Sequence, residues 1–163
     1  MDKSENEKLG IEWLQTFLSL QGLSSEVTAS MLDDECGSSC WLTIDHSQLT
    51  PQQIEHLLGD RATALDAIQY LANTTLNLGR SQEDQQPYTV ELAGHRAKRQ
   101  AELKALAADA AEQAQATGEE FEVVALSSAE RRQVHHFLKA YEGLETFSRG
   151  KEPDRRLVVR QLQ

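Results

Sequence analysis

Two side chains late in the sequence have the types and spacing for anion chemistry. Arg131 and His135 stand four apart in Ala129-Glu130-Arg131-Arg132-Gln133-Val134-His135-His136-Phe137-Leu138-Lys139, an amphipathic stretch that reads as a short helix. Positions i and i+4 of a helix lie one turn apart on the same face, so a guanidinium and an imidazole are presented side by side. The guanidinium donates charge-assisted hydrogen bonds to a phosphate, bidentately where geometry allows, and the imidazole can bond the same group or stack on its base. Neither role requires catalysis. Arg132 and His136, one step round the helix, read as solvated or structural side chains, as do His46 and His56. Glu130, His135 and His136 can be drawn as an acid–base group, but no nucleophile motif, metal-ligand set or phosphate-cradling glycine loop accompanies them. The expectation is therefore a binding protein, not an enzyme, with no cofactor and no metal.

The chain that must position these residues has 163 of them, 39% apolar, enough for one ordinary domain or two small ones with packed cores. No apolar run approaches the roughly 20 residues that span a bilayer, and the N-terminus is charged, so the reading is a soluble, cytoplasmic protein without membrane insertion. Cys36 and Cys40 have no second pair to complete a zinc set; reduced thiols are expected, with a local disulfide as the alternative. The net charge of −10 argues against nucleic acid at first sight. Its distribution says otherwise, because residues 1–90 hold 14 Asp and Glu against 4 Lys and Arg, whereas residues 91–163 hold 12 of each. From Ser128 onward the balance is 8 basic to 5 acidic, a modest and salt-sensitive positive surface.

Periodicity and cap signals predict the elements in order. Leu9, Trp13, Leu14, Phe17 and Leu18 mark a first helix over 8–20, stopped by Gly22. Short strands follow at 26–32 and 40–45, joined by an acidic Gly-Ser hairpin loop. Thr50 caps and Pro51 opens a second helix that Gly59 ends, and Thr63 caps a third after a four-residue turn. A strand at 88–92, a long Ala-rich helix over 95–117 and a strand at 121–126 come next. The Arg131/His135 helix is capped by Ser128 and stopped by Gly143, and strands at 144–148 and 155–161 flank a turn and close the chain.

At Leu58-Gly59-Asp60-Arg61-Ala62-Thr63-Ala64-Leu65-Asp66-Ala67-Ile68-Gln69-Tyr70-Leu71 the chain resembles the type II KH domain of the bacterial Jag (SpoIIIJ-associated) proteins. The resemblance continues through His95-Arg96-Ala97-Lys98-Arg99, Glu130-Arg131-Arg132-Gln133-Val134-His135 and Glu145-Thr146-Phe147-Ser148-Arg149-Gly150-Lys151-Glu152-Pro153-Asp154-Arg155, which look like the family's R-three-H domain. It implies an α+β fold of two small domains: a KH type II-like helix/strand domain over 8–93 and an R-three-H-like domain over 94–163, its small sheet packed by helices. It also implies binding of RNA or another single-stranded nucleic acid, as a post-transcriptional or ribosome-associated regulator. The further N-terminal domain of many Jag proteins is not expected here, and functions tied to it are not carried over.

Carried residue by residue, the resemblance makes Arg131 and His135 the nucleic-acid contacts. Arg149, Lys151 and Arg155 would extend their face, and Arg96, Lys98 and Arg99 would widen it. In the KH loop Gly59 and Arg61 would face the nucleic-acid backbone, but the loop departs from Gly-x-x-Gly. Ala62 adds a methyl and restricts φ, and Asp60 puts a carboxylate where a phosphate should pass. RNA contact and a scaffold or protein-contact role both remain open for that loop. The rival reading is an adaptor whose acidic KH-like half docks a basic protein, at the ribosome or elsewhere.

Overall fold

Helix α1 (Lys3–Leu20) lays Gly10, Leu14 and Leu18 against a sheet of three strands, β1 (Val27–Asp34), β2 (Gly37–Ile44) and β3 (Tyr88–Leu92). The computed structural model describes residues 3–34, 37–59 and 61–162; Cys36 and Asp60, each singled out above, lie outside them. The approach of α1 is close because position 10 has no side chain: a Cβ there would stand 2.7 Å from Leu42 Cδ2. Sheet order is β1-β2-β3, with β1 antiparallel to β2 and β2 parallel to β3. The parallel step needs a crossover, supplied by α2 (Pro51–Leu58) and α3 (Thr63–Leu76). Cys40, Leu42 and Ile44 on β2 join Leu14, Leu18, Leu65, Val90 and Leu92 in the first core.

β3 lies at an edge of this sheet, and α3 closes that edge with side-chain amides. Gln69 Oε1 accepts from Val90 N at 3.0 Å. Asn73 brackets Tyr88, Oδ1 accepting from its N–H at 2.9 Å and Nδ2 donating to its carbonyl at 2.7 Å. Asn77 does the same to Gln86, at 2.8 Å for both bonds. Gln69 and Asn73 of α3 and Asn77 at its C-cap, spaced by four, thus satisfy alternate residues of β3 and of the segment entering it, the spacing at which backbone groups point away from β2.

The long helix α4 (His95–Thr117) buries Leu103, Ala107, Ala110, Ala111 and Ala114 in a second core, with Val134, Phe137 and Leu138 of α5 (Ser128–Leu138). Its sheet has the order β4-β6-β5, both pairs antiparallel: β4 (Phe121–Val123), β5 (Leu144–Arg149) and β6 (Arg156–Gln161). Geometrically the chain divides into Met1–Arg96 and Ala97–Gln163. That boundary falls inside α4 because Arg96 is held by the first unit, its Nε donating to Val90 O at 3.2 Å and Nη1 pairing with Asp66 at 2.6 Å. Each unit is α+β, and the first has the helix-strand-strand-helix-helix-strand order of a KH type II-like domain. No helix among the described residues is long and apolar enough to cross a membrane.

Several boundaries differ from the sequence reading. The β1–β2 ladder runs through the acidic and Gly-Ser residues expected to be loop, pairing Asp33 with Ser38 and Asp34 with Gly37, because backbone pairing at an exposed strand end does not require apolar side chains. Thr63 lies inside α3, and the cap position belongs to Ala62, which makes no side-chain cap bond. The fourth strand ends at Val123, since Ala125 takes a positive φ of 60° that breaks the extended run.

Candidate nucleic-acid interface

Helix α5 is capped one residue earlier than expected, by Ser127. Ser127 Oγ accepts from Glu130 N at 3.2 Å, and the Glu130 carboxylate accepts from Ser127 N at 2.8 Å. This reciprocal box needs Ser and Glu three apart, a spacing that Ser127 has and Ser128 lacks. The Arg99 guanidinium of α4 adds an ion pair to Glu130 at 2.7 Å. Burial works to raise the Glu130 carboxyl, but the Ser127 N–H and Arg99 outweigh it and hold its pKa below the usual Glu value.

The guanidinium of Arg131 is not presented to solvent. Arg131 is 5% exposed, and Nη1 donates to Leu126 O at 2.7 Å and to Arg155 O at 3.2 Å, while Nη2 pairs with Glu152. It thereby ties together the segment entering α5, the turn after β5 and the approach to β6. The expected direct bond from Arg131 to a phosphate thus meets a buried guanidinium whose two terminal nitrogens already have partners. His135 is half-buried one turn on, with Nδ1 against Thr146 Oγ1 of β5.

Above these two runs a groove of about 320 Å³ between α5 and β5, lined by Ser128, Arg132, His135, Thr146, Ser148 and Arg155, with Arg131 in its wall. Arg132 and Arg155 are exposed, and neither side chain has an ion pair among the described residues. Arg132 is exposed, as a solvated side chain would be, and it also lies within reach of the groove that runs beside the helix. Ser128, Thr146 and Ser148 were missed. The strand period could have found the last two, since Thr146 and Ser148 alternate with Glu145, Phe147 and Arg149 on β5.

The other expected contacts are distributed differently. Arg149 pairs with Glu120 at 2.7 Å and Glu122 at 3.1 Å, Arg156 with Glu122 at 2.7 Å, and Arg160 with Glu145 at 2.5 Å. These residues carpet the sheet face that Phe147 shares, with Arg149 and Arg160 centred 5.4 and 5.0 Å from its ring. Arg149 therefore extends this neutralised lattice and not the groove. Arg99 is ion-paired with Glu130 and Glu102, and Arg96 with Asp66 of the first unit. Lys151 is exposed in the turn that leads to Arg155. In the first unit Gly59 ends α2 with φ 48° and ψ −152°, a conformation open to glycine, and Arg61 is exposed beside it. Ala62, by contrast, is 1% exposed with φ 51°, so its methyl packs in the core and does not stand in the path of a ligand at the surface.

Comparison with known proteins gives the family. Residues 101–161, from within α4 to the end of β6, match the R-three-H domain. Over 113 residues the chain is 30% identical to the RNA-binding protein KhpB of Bacillus subtilis (strain 168). The match takes in 68% of this chain and 53% of that protein, so the chain spans about half the length of the curated relative. With the α+β fold of both units and the Arg131/His135 helix at the centre of the matched region, the chain is a Jag-like R-three-H protein.

Proposed function

We propose that the second unit binds single-stranded nucleic acid, RNA foremost, through phosphate contacts in the α5–β5 groove. One observation carries this reading. Of the arginines in that unit, Arg99, Arg131, Arg149, Arg156 and Arg160 are paired with glutamates, whereas Arg132 and Arg155 are not, and both of these line one groove. Unpaired cations can take a phosphate without first giving up a carboxylate. Lys151 adds charge from the neighbouring turn, Ser128 and Ser148 add hydroxyl donors, and His135 meets a phosphate or the face of a base. Arg131 serves by holding the wall together. Few of these groups read base edges, so recognition rests on the backbone, with little sequence preference. A post-transcriptional or ribosome-associated role is the cellular reading that this chemistry and the name of the relative support. The Gly59–Ala62 turn would add at most a weak contact through Arg61.

The decisive measurement is fluorescence anisotropy of a labelled oligouridine with the intact chain across a salt series. Arg132→Ala with Arg155→Ala should weaken binding at least about tenfold and lower the slope of log K against log salt by roughly 1–2, as expected for two lost phosphate contacts. Unchanged affinity in that double variant would refute the groove.

A second reading, an adaptor, has one observation in its favour. Leu9, Trp13, Phe17 and Leu20 form a second apolar stripe on α1 and, with Leu76, line an open groove; Leu20 is 79% exposed. The stripe belongs to the acidic part of the chain. Salt-resistant binding of a basic protein that survives loss of Arg132 and Arg155 but fails in Leu20→Ser would favour it.

A further inference from the structure

We propose that Glu152 is a positioning residue of the α5–β5 groove: it holds Arg131, and through Arg131 it sets where Arg155 stands. The inference rests on the groove reading above. Arg131 has three acceptors, and two of them, the carbonyls of Leu126 and Arg155, are neutral. The Glu152 carboxylate is the one that balances a guanidinium 5% exposed. The three acceptors come from three segments, and one is the backbone of Arg155, whose side chain lines the groove without a partner. Removing Glu152 leaves a buried cation without its counter-charge. The guanidinium then turns toward water or carboxylates elsewhere, its bond to Arg155 O is lost, and the turn over 150–155 no longer holds Arg155 at the groove wall.

What makes this testable is that simple electrostatics predicts the opposite sign. Glu152 is 58% exposed, a negative charge beside a site proposed for a polyanion, so its removal should help binding if charge were all that mattered. Asp154 supplies the control: it is an exposed acid of the same turn with no hydrogen bond to Arg131.

The experiment is oligouridine anisotropy on the intact chain for wild type, Glu152→Ala, Glu152→Gln, Asp154→Asn and Arg132→Ala with Arg155→Ala, each with a thermal melt and a stoichiometric titration to fix its active fraction. Glu152→Ala should bind about 5–10-fold more weakly at full active fraction and lose roughly one phosphate's worth of salt slope. Glu152→Gln, which keeps an acceptor without the charge, should fall between Glu152→Ala and wild type. Asp154→Asn should bind as wild type or up to about twofold more tightly, from the charge alone. If Glu152→Ala gains affinity as Asp154→Asn does, or if its loss is wholly a loss of active fraction at unchanged slope, Glu152 is not a positioning residue. If the Arg132/Arg155 double variant binds like wild type, the groove reading itself has failed, a result separate from either of these.

Discussion

Arg131 and Arg132 are adjacent in sequence and opposite in circumstance, one buried on three acceptors and the other exposed and unpaired. Their substitutions should separate accordingly. Arg131→Ala should cost about 2–4 kcal/mol of stability by chemical denaturation, because it leaves Glu152 and two carbonyls without their donor. Arg132→Ala should stay within about 0.5 kcal/mol of wild type and lower RNA affinity instead. Cys40 is a second residue whose surroundings set its chemistry. It is 0% exposed, and burial, with Glu7 adding to it, pushes its thiol up to about 11. A thiolate is the reactive form, so at pH 8 in a Cys36→Ser background iodoacetamide should leave Cys40 unmodified until denaturant is added.

At the level of elements, two contacts decide how the first unit packs. The amide ladder from Gln69, Asn73 and Asn77 replaces the neighbour that the outer edge of β3 lacks. Asn73→Ala should cost about 2–3 kcal/mol, since both backbone groups of Tyr88 on that side lose their partner in one change. Asn73→Asp should restore only the bond from Tyr88 N–H. Gly10 marks the other contact, the seat of α1 on Leu42 and Tyr88. Gly10→Val should destabilise by roughly 1–3 kcal/mol, because a branched side chain has to displace a leucine that is itself 0% exposed. Loss of tertiary signal at lower urea, with helix content unchanged below the transition, would identify packing as the cause.

For the whole molecule, charge is arranged by unit. The acid excess lies in the first 90 residues, while the second unit spends most of its arginines on glutamates of its own. Arg149 beside Glu120 and Arg156 beside Glu122 hold both carboxyls below the ordinary value of 4.5, and Glu130 is also lowered. A carboxyl whose pKa is depressed in the folded state contributes stability that is complete above the unfolded value and is lost as pH falls through the folded one. The second unit should therefore keep its melting temperature from neutral pH down to about 4.5 and lose it progressively below. Glu130→Gln should start lower and fall less steeply over the same range, and a parallel fall in that variant would count against this account.

The amino-acid sequence by itself determined the α+β class, the order of nearly every element and the helix that carries Arg131 and His135, because helical and strand periodicity, Pro51 at a helix start and glycine stops are local signals. It also located the acid in one half of the chain. Only the tertiary structure decided which cations are available. Which arginine meets which glutamate depends on the register of β4, β5 and β6 and on α4 lying beside α5, pairings between residues as far apart as Arg149 and Glu120 or Arg99 and Glu130. The same holds for Ala62, whose methyl looks obstructive in a loop motif and proves to be core once the backbone turns it inward. Spacing along a chain can place a guanidinium on a helix face, but whether that face meets solvent or a carboxylate is set by what folds against it.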